Sequence, residues 1–445
     1  MTDLTIVSTF PVLLQSFATC FTAPSFESFV TLMSGWVLNL GSHTVTGTIR
    51  AAGAVGLKHI SSFHRFFSQG RWNTDDVGLI LARLVISTLL DKRAPILLII
   101  DDTLGRHTGK DIAAASMHRD PLLSTATRPL FHWGHVWVVL AIEVEVFERR
   151  WALPVLFRLH RSRKRCATDG RPYRKTTEEA RSLMLLLAGE YPDREFRLVG
   201  DAAYTNSVLI KNRPSNVTIF GRGRLDAALW APAPKRQKGQ RGRPRVRGKR
   251  LPSPEKRARS KTARWKRVNV EAYGKKARVR VLTIDALWYY AAHSEVVRLV
   301  VVRGFPGHER DDVFVCTDTS ISPREVIETY ARRWALEVTF HEAKGKLGFE
   351  DPQNRTSRAV ERTAPMALLA YSLVVLWYAR VGHRTRFAKG TDLPWYTNKP
   401  AVTFTDMLAT IRRASWAERL LDPSASAPKL RKRIRPLLEY VSTAA

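Results

Sequence analysis

The chain has 445 residues, enough to bury a large core, and its 44% apolar content is that of a folded protein rather than a disordered one. Its charge is unusual: 72 Lys and Arg against 40 Asp and Glu leave +32 and an isoelectric point near 10.7, which calls for a polyanionic partner, nucleic acid ahead of an anionic membrane. The longest apolar run, Met366 to Ala379, falls short of the roughly 20 residues a membrane span needs. The opening Met-Thr-Asp-Leu-Thr has an acid where a secretion signal is basic, and Cys20, Cys166 and Cys316 lack metal spacing, so a reducing cytoplasm is expected and a membrane is not.

Residues 1–92 read as mostly helical. Within them, Thr44 to Trp72 allows two short helices and a turn, with His59, His64, Arg65 and Arg71 toward the end. That is either a DNA-binding helix pair or a plain helical cap on the next domain. From residue 93 the hydrophobic period changes. Pro95-Ile-Leu-Leu-Ile-Ile-Asp101 is a buried-strand run that ends in acid. His135 to Phe147 and Trp151 to His160 predict a hairpin split by Glu148-Arg149-Arg150. Thr176-Thr-Glu-Glu179 opens a helix that runs to Gly189, and Glu195 to Asp201 is a second strand ending in acid. After a short helix, Asn216 to Phe220 is a fifth strand. Three antiparallel strands, then helix, strand, helix, strand, is the element order of a ribonuclease-H-like α/β core, assigned to 93–221 and completed by 321–380.

Residues 222–320 interrupt that core as a basic, β-rich insertion. Its segment 235–267 carries sixteen Lys or Arg against one acid, Glu255, and reads as a solvated, flexible arm. Inside the arm, Gln240-Arg241-Gly-Arg243-Pro-Arg245 looks like an AT-hook core, whose arginines would line a narrow A·T minor groove or else bind phosphate generically. Val279–Ile284, Val297–Arg303 and Asp312–Cys316 are expected as strands of a small sheet. Trp230, Trp265 and Trp288 in this region suit buried packing better than a base-stacking wedge.

A single helix is predicted next, capped by Ser322 with Pro323 in its first turn and Glu325 closing a capping box. Along it Tyr330, Arg333, Glu337 and Lys344 share one face. Arg333 and Glu337 alone would be an ordinary i,i+4 ion pair, worth about 0.2–0.5 kcal/mol. Ala359 to Arg380 is an apolar helix expected to pack on the core, and 381–445 are short helices with a basic patch at Lys429-Leu-Arg-Lys-Arg-Ile-Arg435.

The three acids set the chemistry. Asp101 and Asp201 at neighbouring strand ends, with Glu337 on a helix facing them, form a site for hard divalent cations, and their carboxylates should converge on one metal position. Two Mg²⁺ (or Mn²⁺) ions there would activate a water or terminal hydroxyl and stabilise the leaving oxygen of a phosphoryl displacement. Asp102 is a rival for the first position, and Glu342 a weaker one for the third, because five residues along a helix turn it to another face. His341-Glu342 lacks the second histidine of a zincin helix, and His132 and His135 suit a structural role.

With these residues in place, the chain resembles bacterial insertion-sequence transposases of the DDE type, in particular the family-four group with the Y-R-E-K signature. Tyr330, two residues, Arg333, three residues, Glu337, six residues and Lys344 meet that signature without a gap, followed by Leu347-Gly348. Asp101-Asp102-Thr103 matches the family's Asp-x-Thr, which favours Asp101, and Asp201-Ala-Ala-Tyr204 matches its second acid. The resemblance implies a ribonuclease-H-like catalytic domain with a β-rich insertion, and metal-dependent cut-and-paste transposition with Asp101, Asp201 and Glu337 as metal ligands. It implies that Tyr330, Arg333 and Lys344 contact DNA near the transposon end, around a flipped base and its phosphates. Double-stranded DNA, as transposon ends and target, is the implied partner, with a homodimer in the synaptic complex and a bacterial, nucleoid-associated location. A nuclease without strand transfer and a non-catalytic DNA-binding protein are the other readings.

Overall fold

The computed structural model describes residues 6–120, 123–125, 127–211, 213–235, 242–305, 308–388, 401–420 and 428. A mixed twelve-stranded sheet runs through it: β1 Ile96–Arg106, β2 Ser116–Arg119, β3 Phe131–Val146, β4 Arg149–His160, β5 Phe196–Gly200, β6 Val217–Arg222, β7 Leu229–Trp230, β8 Arg250–Leu251, β9 Lys266–Ala272, β10 Lys275–Leu287, β11 Val296–Arg303 and β12 Asp312–Cys316. The order is β2-β3-β1-β5-β6-β12-β11-β10-β7-β8, with β4 on β3 and β9 on β10. The architecture is α/β.

Apolar runs make the centre. Ile96 to Ile100 are all buried, because β1 lies between antiparallel β3 and parallel β5 with both faces covered. Parallel pairing needs a crossover, and helix Thr176–Glu190 supplies the one that leads from β4 into β5. β3 and β4 form the expected hairpin, but its turn is Phe147-Glu148, both with positive φ, so Arg149 and Arg150 already belong to β4. This two-residue turn matches the right-handed twist of the flanking strands.

The insertion corrects two expectations. Its strands do not form a separate small sheet. β12 pairs antiparallel with β6, Val315 opposite Gly221, so the central sheet continues into β11 and β10. The arm is also less solvated than its composition suggests. Residues 250–267 include β8, helix Pro254–Arg259 and the start of β9. Pro254 and Ala258 are buried, and the Arg303 guanidinium lies 4.4 Å from the centre of the Trp265 ring. Trp230 and Trp288 are buried as expected.

The predicted single helix after Ser322 is two, Pro323–Ala331 and Trp334–Leu347. At the junction the amides of Arg332, Arg333, Ala335 and Leu336 each bond to the carbonyl three residues back, a tighter winding that separates the two helices. Ser322 accepts the Glu325 N–H at 3.2 Å, but the Glu325 carboxylate pairs with Arg197 at 2.7 Å instead of closing a capping box. The second helix buries Leu336, Thr339, Phe340, Ala343 and Leu347, and Thr339 donates to the Ala152 carbonyl of β4 at 2.8 Å. Beyond it, the expected apolar helix is split by Pro365 into Ser357–Thr363 and Pro365–Arg380. Together these are long and apolar enough to cross a membrane by length and composition, yet 94% of the most apolar stretch is buried inside the fold.

The N-terminal helices brace this layer. Trp36, fully buried in helix Ala23–Leu38, donates its indole N–H to the Leu347 carbonyl at 2.8 Å. The His43 backbone N–H donates to Asp351 at 2.7 Å, just past Gly348, whose left-handed conformation ends the Glu337 helix. Helices Val45–Ala51 and Ile60–Ser68 fill the predicted helix-pair region. Phe404–Leu420 is a further helix near the C-terminus, and the basic patch at 429–435 lies outside the described residues.

Candidate active site

Register brings the two strand-end acids together. Ile100 of β1 is the partner of Gly200 in adjacent parallel β5, so the next residue on each strand, Asp101 and Asp201, stand side by side at a strand spacing of about 4.8 Å. Asp201 Oδ1 accepts the N–H groups of Ala203 and Tyr204 at 2.8 and 3.2 Å, which fixes the turn out of β5.

Successive strand residues face opposite sides, and the two aspartates of β1 take different partners. Asp101 Oδ2 accepts from Arg333 Nη1 at 2.5 Å, and its Oδ1 accepts the Asp102 N–H at 2.9 Å. Asp102 Oδ1 instead accepts the hydroxyl of buried Tyr204 at 2.6 Å. The second arm of the Arg333 fork, Nη2, donates to Glu337 Oε1. One guanidinium, mostly buried, thus bridges a strand carboxylate and a helix carboxylate.

Burial pushes the Asp101 carboxyl above the usual carboxylate range; Arg333 pulls it down, and Asp102 and Asp201 add to the push. Burial also raises Asp102, against the hydrogen bond from Tyr204. At Arg333 burial works against the charge, but Asp101 and Glu337 outweigh it and keep the side chain cationic.

Oxygen-only donors of this kind suit a hard divalent cation. Their arrangement does not yet. Among the described residues no group of three or more His, Cys, Asp or Glu side chains is placed to hold a metal ion. The expected convergence of Asp101, Asp201 and Glu337 is not met, because the Arg333 guanidinium satisfies one oxygen each of Asp101 and Glu337. Glu342 takes another face of the helix; burial raises the Tyr371 hydroxyl pKa, and the Glu342 charge adds to it.

The other signature residues are less open than expected for DNA contacts. Tyr330 is buried, its ring 4.7 Å from that of Phe314. Lys344 donates to the Leu104 carbonyl at 2.6 Å and lies 3.6 Å from Glu350, which in turn accepts the Arg106 N–H at 3.0 Å. In this arrangement Lys344 pins its helix to β1, and burial lowers its pKa.

The model of a family described as DDE superfamily endonuclease matches residues 16–287. The chain belongs to the DDE superfamily endonucleases. No curated protein matches it. The matched span contains Asp101, Asp102 and Asp201 but ends before Arg333 and Glu337, so the pairing of the helix acid with the strand acids rests on the geometry above. Membership carries nuclease chemistry with DNA as the substrate class, and the family customarily uses divalent metal ions.

Two aromatic residues at the rim of this DDE endonuclease's site were not assigned to it from the sequence, in which Trp334 reads as a packing residue. Tyr273, 45% exposed, turns the β9–β10 hairpin with positive φ, followed by Gly274; partial burial, with Tyr330 and Glu337 near it, raises its hydroxyl pKa against the pull of Arg333. Its ring meets that of Trp334 edge-on at 6.2 Å, and Trp334 is 53% exposed. A Tyr-Gly turn between alternating strands was the available signal for the first; a Trp at an outward helix position was the signal for the second. Arg243 and Arg245 of the basic arm are exposed, and Arg241 lies outside the described residues. Nearby Arg247 stacks on Trp230 and Tyr289, 4.5 and 4.8 Å from their ring centres.

Proposed function

We propose that the protein is a DNA transposase that binds terminal inverted repeats, cuts them and joins them to target DNA. The observation that carries this reading is the adjacency of Asp101 and Asp201 at the ends of parallel strands, with Glu337 tethered to the same guanidinium as Asp101. The strand order β4-β3-β1-β5-β6, with only β3 antiparallel to the others, supports a ribonuclease-H-like core. Asp101, Asp201 and Glu337 would hold Mg²⁺ or Mn²⁺, as two ions. Bound there, the ions supply Lewis-acid activation of the attacking oxygen and stabilisation of the leaving one.

The chain's own residues do the rest. Asp101 is favoured over Asp102, since Asp102 is engaged by Tyr204 and Asp101 shares a guanidinium with Glu337. Arg333 would hold the scissile strand, and exposed Arg243 and Arg245, with Arg241, would follow the duplex backbone, where a strongly basic chain gains most of its affinity. Double-stranded DNA is the partner, two copies of the chain act together at paired ends, and the working location is the cytoplasmic nucleoid. The Arg333 bridge is the one feature that favours a non-catalytic DNA-binding protein.

One experiment separates the readings. A plasmid carrying the DNA that flanks the coding sequence is incubated with the full chain and Mg²⁺, with and without chelator. Transposition predicts metal-dependent cuts at the repeat ends and joined products with target DNA. Cuts without joined products leave a plain nuclease, and intact plasmid in a mixture that still retards DNA leaves the non-catalytic binder.

A further inference from the structure

The Arg333 guanidinium occupies the position between Asp101 and Glu337 that a bridging cation would need. We propose that it is a latch: in the free protein it holds these carboxylates closed to divalent metal, and a DNA phosphate opens them by drawing the guanidinium away. The inference rests on the assignment of Asp101, Asp201 and Glu337 as metal ligands.

Three features support it. The bridge joins separate elements, β1 and the helix Trp334–Leu347, through different nitrogens of one fork, so its release frees both carboxylates at once. Arg333 lies at the tightly wound junction between two helices, so its side chain reaches β1 while Glu337, one turn on, is tied back to it. And among the described residues, no group of three His, Cys, Asp or Glu side chains is placed to hold a metal. A guanidinium and a divalent cation compete for the same oxygens, and their mutual repulsion in a half-buried site makes occupancy exclusive.

What removes the guanidinium must offer it a better anion. A phosphodiester does, because the planar fork binds two phosphate oxygens as it binds a carboxylate. The exposed Trp334 beside it leaves that side open to a strand. Metal binding and DNA binding then become coupled, and each must raise the affinity for the other by the same factor. The free enzyme would not hold reactive metal until a duplex is seated.

The test is Mn²⁺ binding to the full chain, followed by the electron paramagnetic resonance signal of free Mn²⁺, with and without a short duplex and with binding to the duplex alone subtracted. The duplex should tighten Mn²⁺ binding by about tenfold or more, within the usual range for coupled sites. Without DNA, Arg333→Gln should tighten it by a similar factor and abolish the effect of the duplex. A purely structural role for Arg333 predicts weaker Mn²⁺ binding in that variant, so tightening cannot come from damage to the fold. Equal affinity for wild type with and without duplex overturns the latch, and that arm needs no variant. Asp201→Asn tells the two failures apart. If it abolishes Mn²⁺ binding while Arg333→Gln changes nothing, the latch alone is wrong. If it leaves all Mn²⁺ binding unchanged, the ligand assignment itself falls.

Discussion

Asp101→Asn is expected to lower DNA cleavage by at least the ~10²–10³-fold that the loss of one electrostatic stabiliser costs, while Asp102→Asn loses less than about a tenth of that effect. The difference follows from the partners the two adjacent residues take. Asp101 stands beside Asp201 in the parallel register and shares Arg333 with Glu337, whereas Asp102 is held by the Tyr204 hydroxyl. Asparagine at 102 still accepts that hydroxyl through its carbonyl oxygen, so the turn after β5 is kept. Single-turnover cleavage of a labelled duplex by both variants decides it. Equal, severe losses would mean that the site uses both aspartates, and a greater loss at 102 would reverse the assignment.

The largest effect on stability is expected at a residue far from the chemistry. Trp36 is fully buried, and its N–H is the hydrogen-bond partner of the Leu347 carbonyl at the end of the Glu337 helix. Trp36→Ala should destabilise the protein by about 3–5 kcal/mol, the usual cost of a large aromatic cavity. Trp36→Phe keeps most of the volume and loses the donor, for about 1–3 kcal/mol from the stranded carbonyl. Urea unfolding of the two variants measures the difference. If Trp36→Ala unfolds at the wild-type midpoint, the N-terminal helices do not brace the catalytic layer in the way the contacts describe.

The run Ile96 to Ile100 is legible in the sequence because a strand buried on both faces is continuously apolar, and Phe196 to Gly200 because only Arg197 interrupts its apolar residues; each is followed at once by an acid. The hairpin of β3 and β4 is legible for the same reason, though its turn shifted by a residue because nothing in Phe147-Glu148 advertises positive φ. The break at Arg332-Arg333 was not legible. No Gly or Pro marks it, the helical period runs through it, and what accompanies it is a contact from Arg333 to a strand 232 positions away.

The same limit hid the reach of the sheet. The pairing of β12 with β6 is a meeting of segments nearly a hundred residues apart, which local periodicity does not encode. The arm misled for a related reason. Sixteen cations in 235–267 predict solvation, but Ala258 and Trp265 are held by the distant Arg303. At the site itself, residue types and spacing selected Asp101, Asp201, Arg333 and Glu337. They did not foretell that Arg333 would stand between two of the acids, because an i,i+4 pair looks the same whether or not a third group joins it.

In the proposed function Glu337 completes the catalytic acids. The most direct test of this role is single-turnover cleavage of an end-bearing duplex in Mg²⁺ by Glu337→Gln, with Glu342→Gln as the neighbour on another face of the same helix. Glu337→Gln is expected to bind the duplex but not cut it, while Glu342→Gln cuts at close to the wild-type rate. Unimpaired cleavage by Glu337→Gln would contradict it.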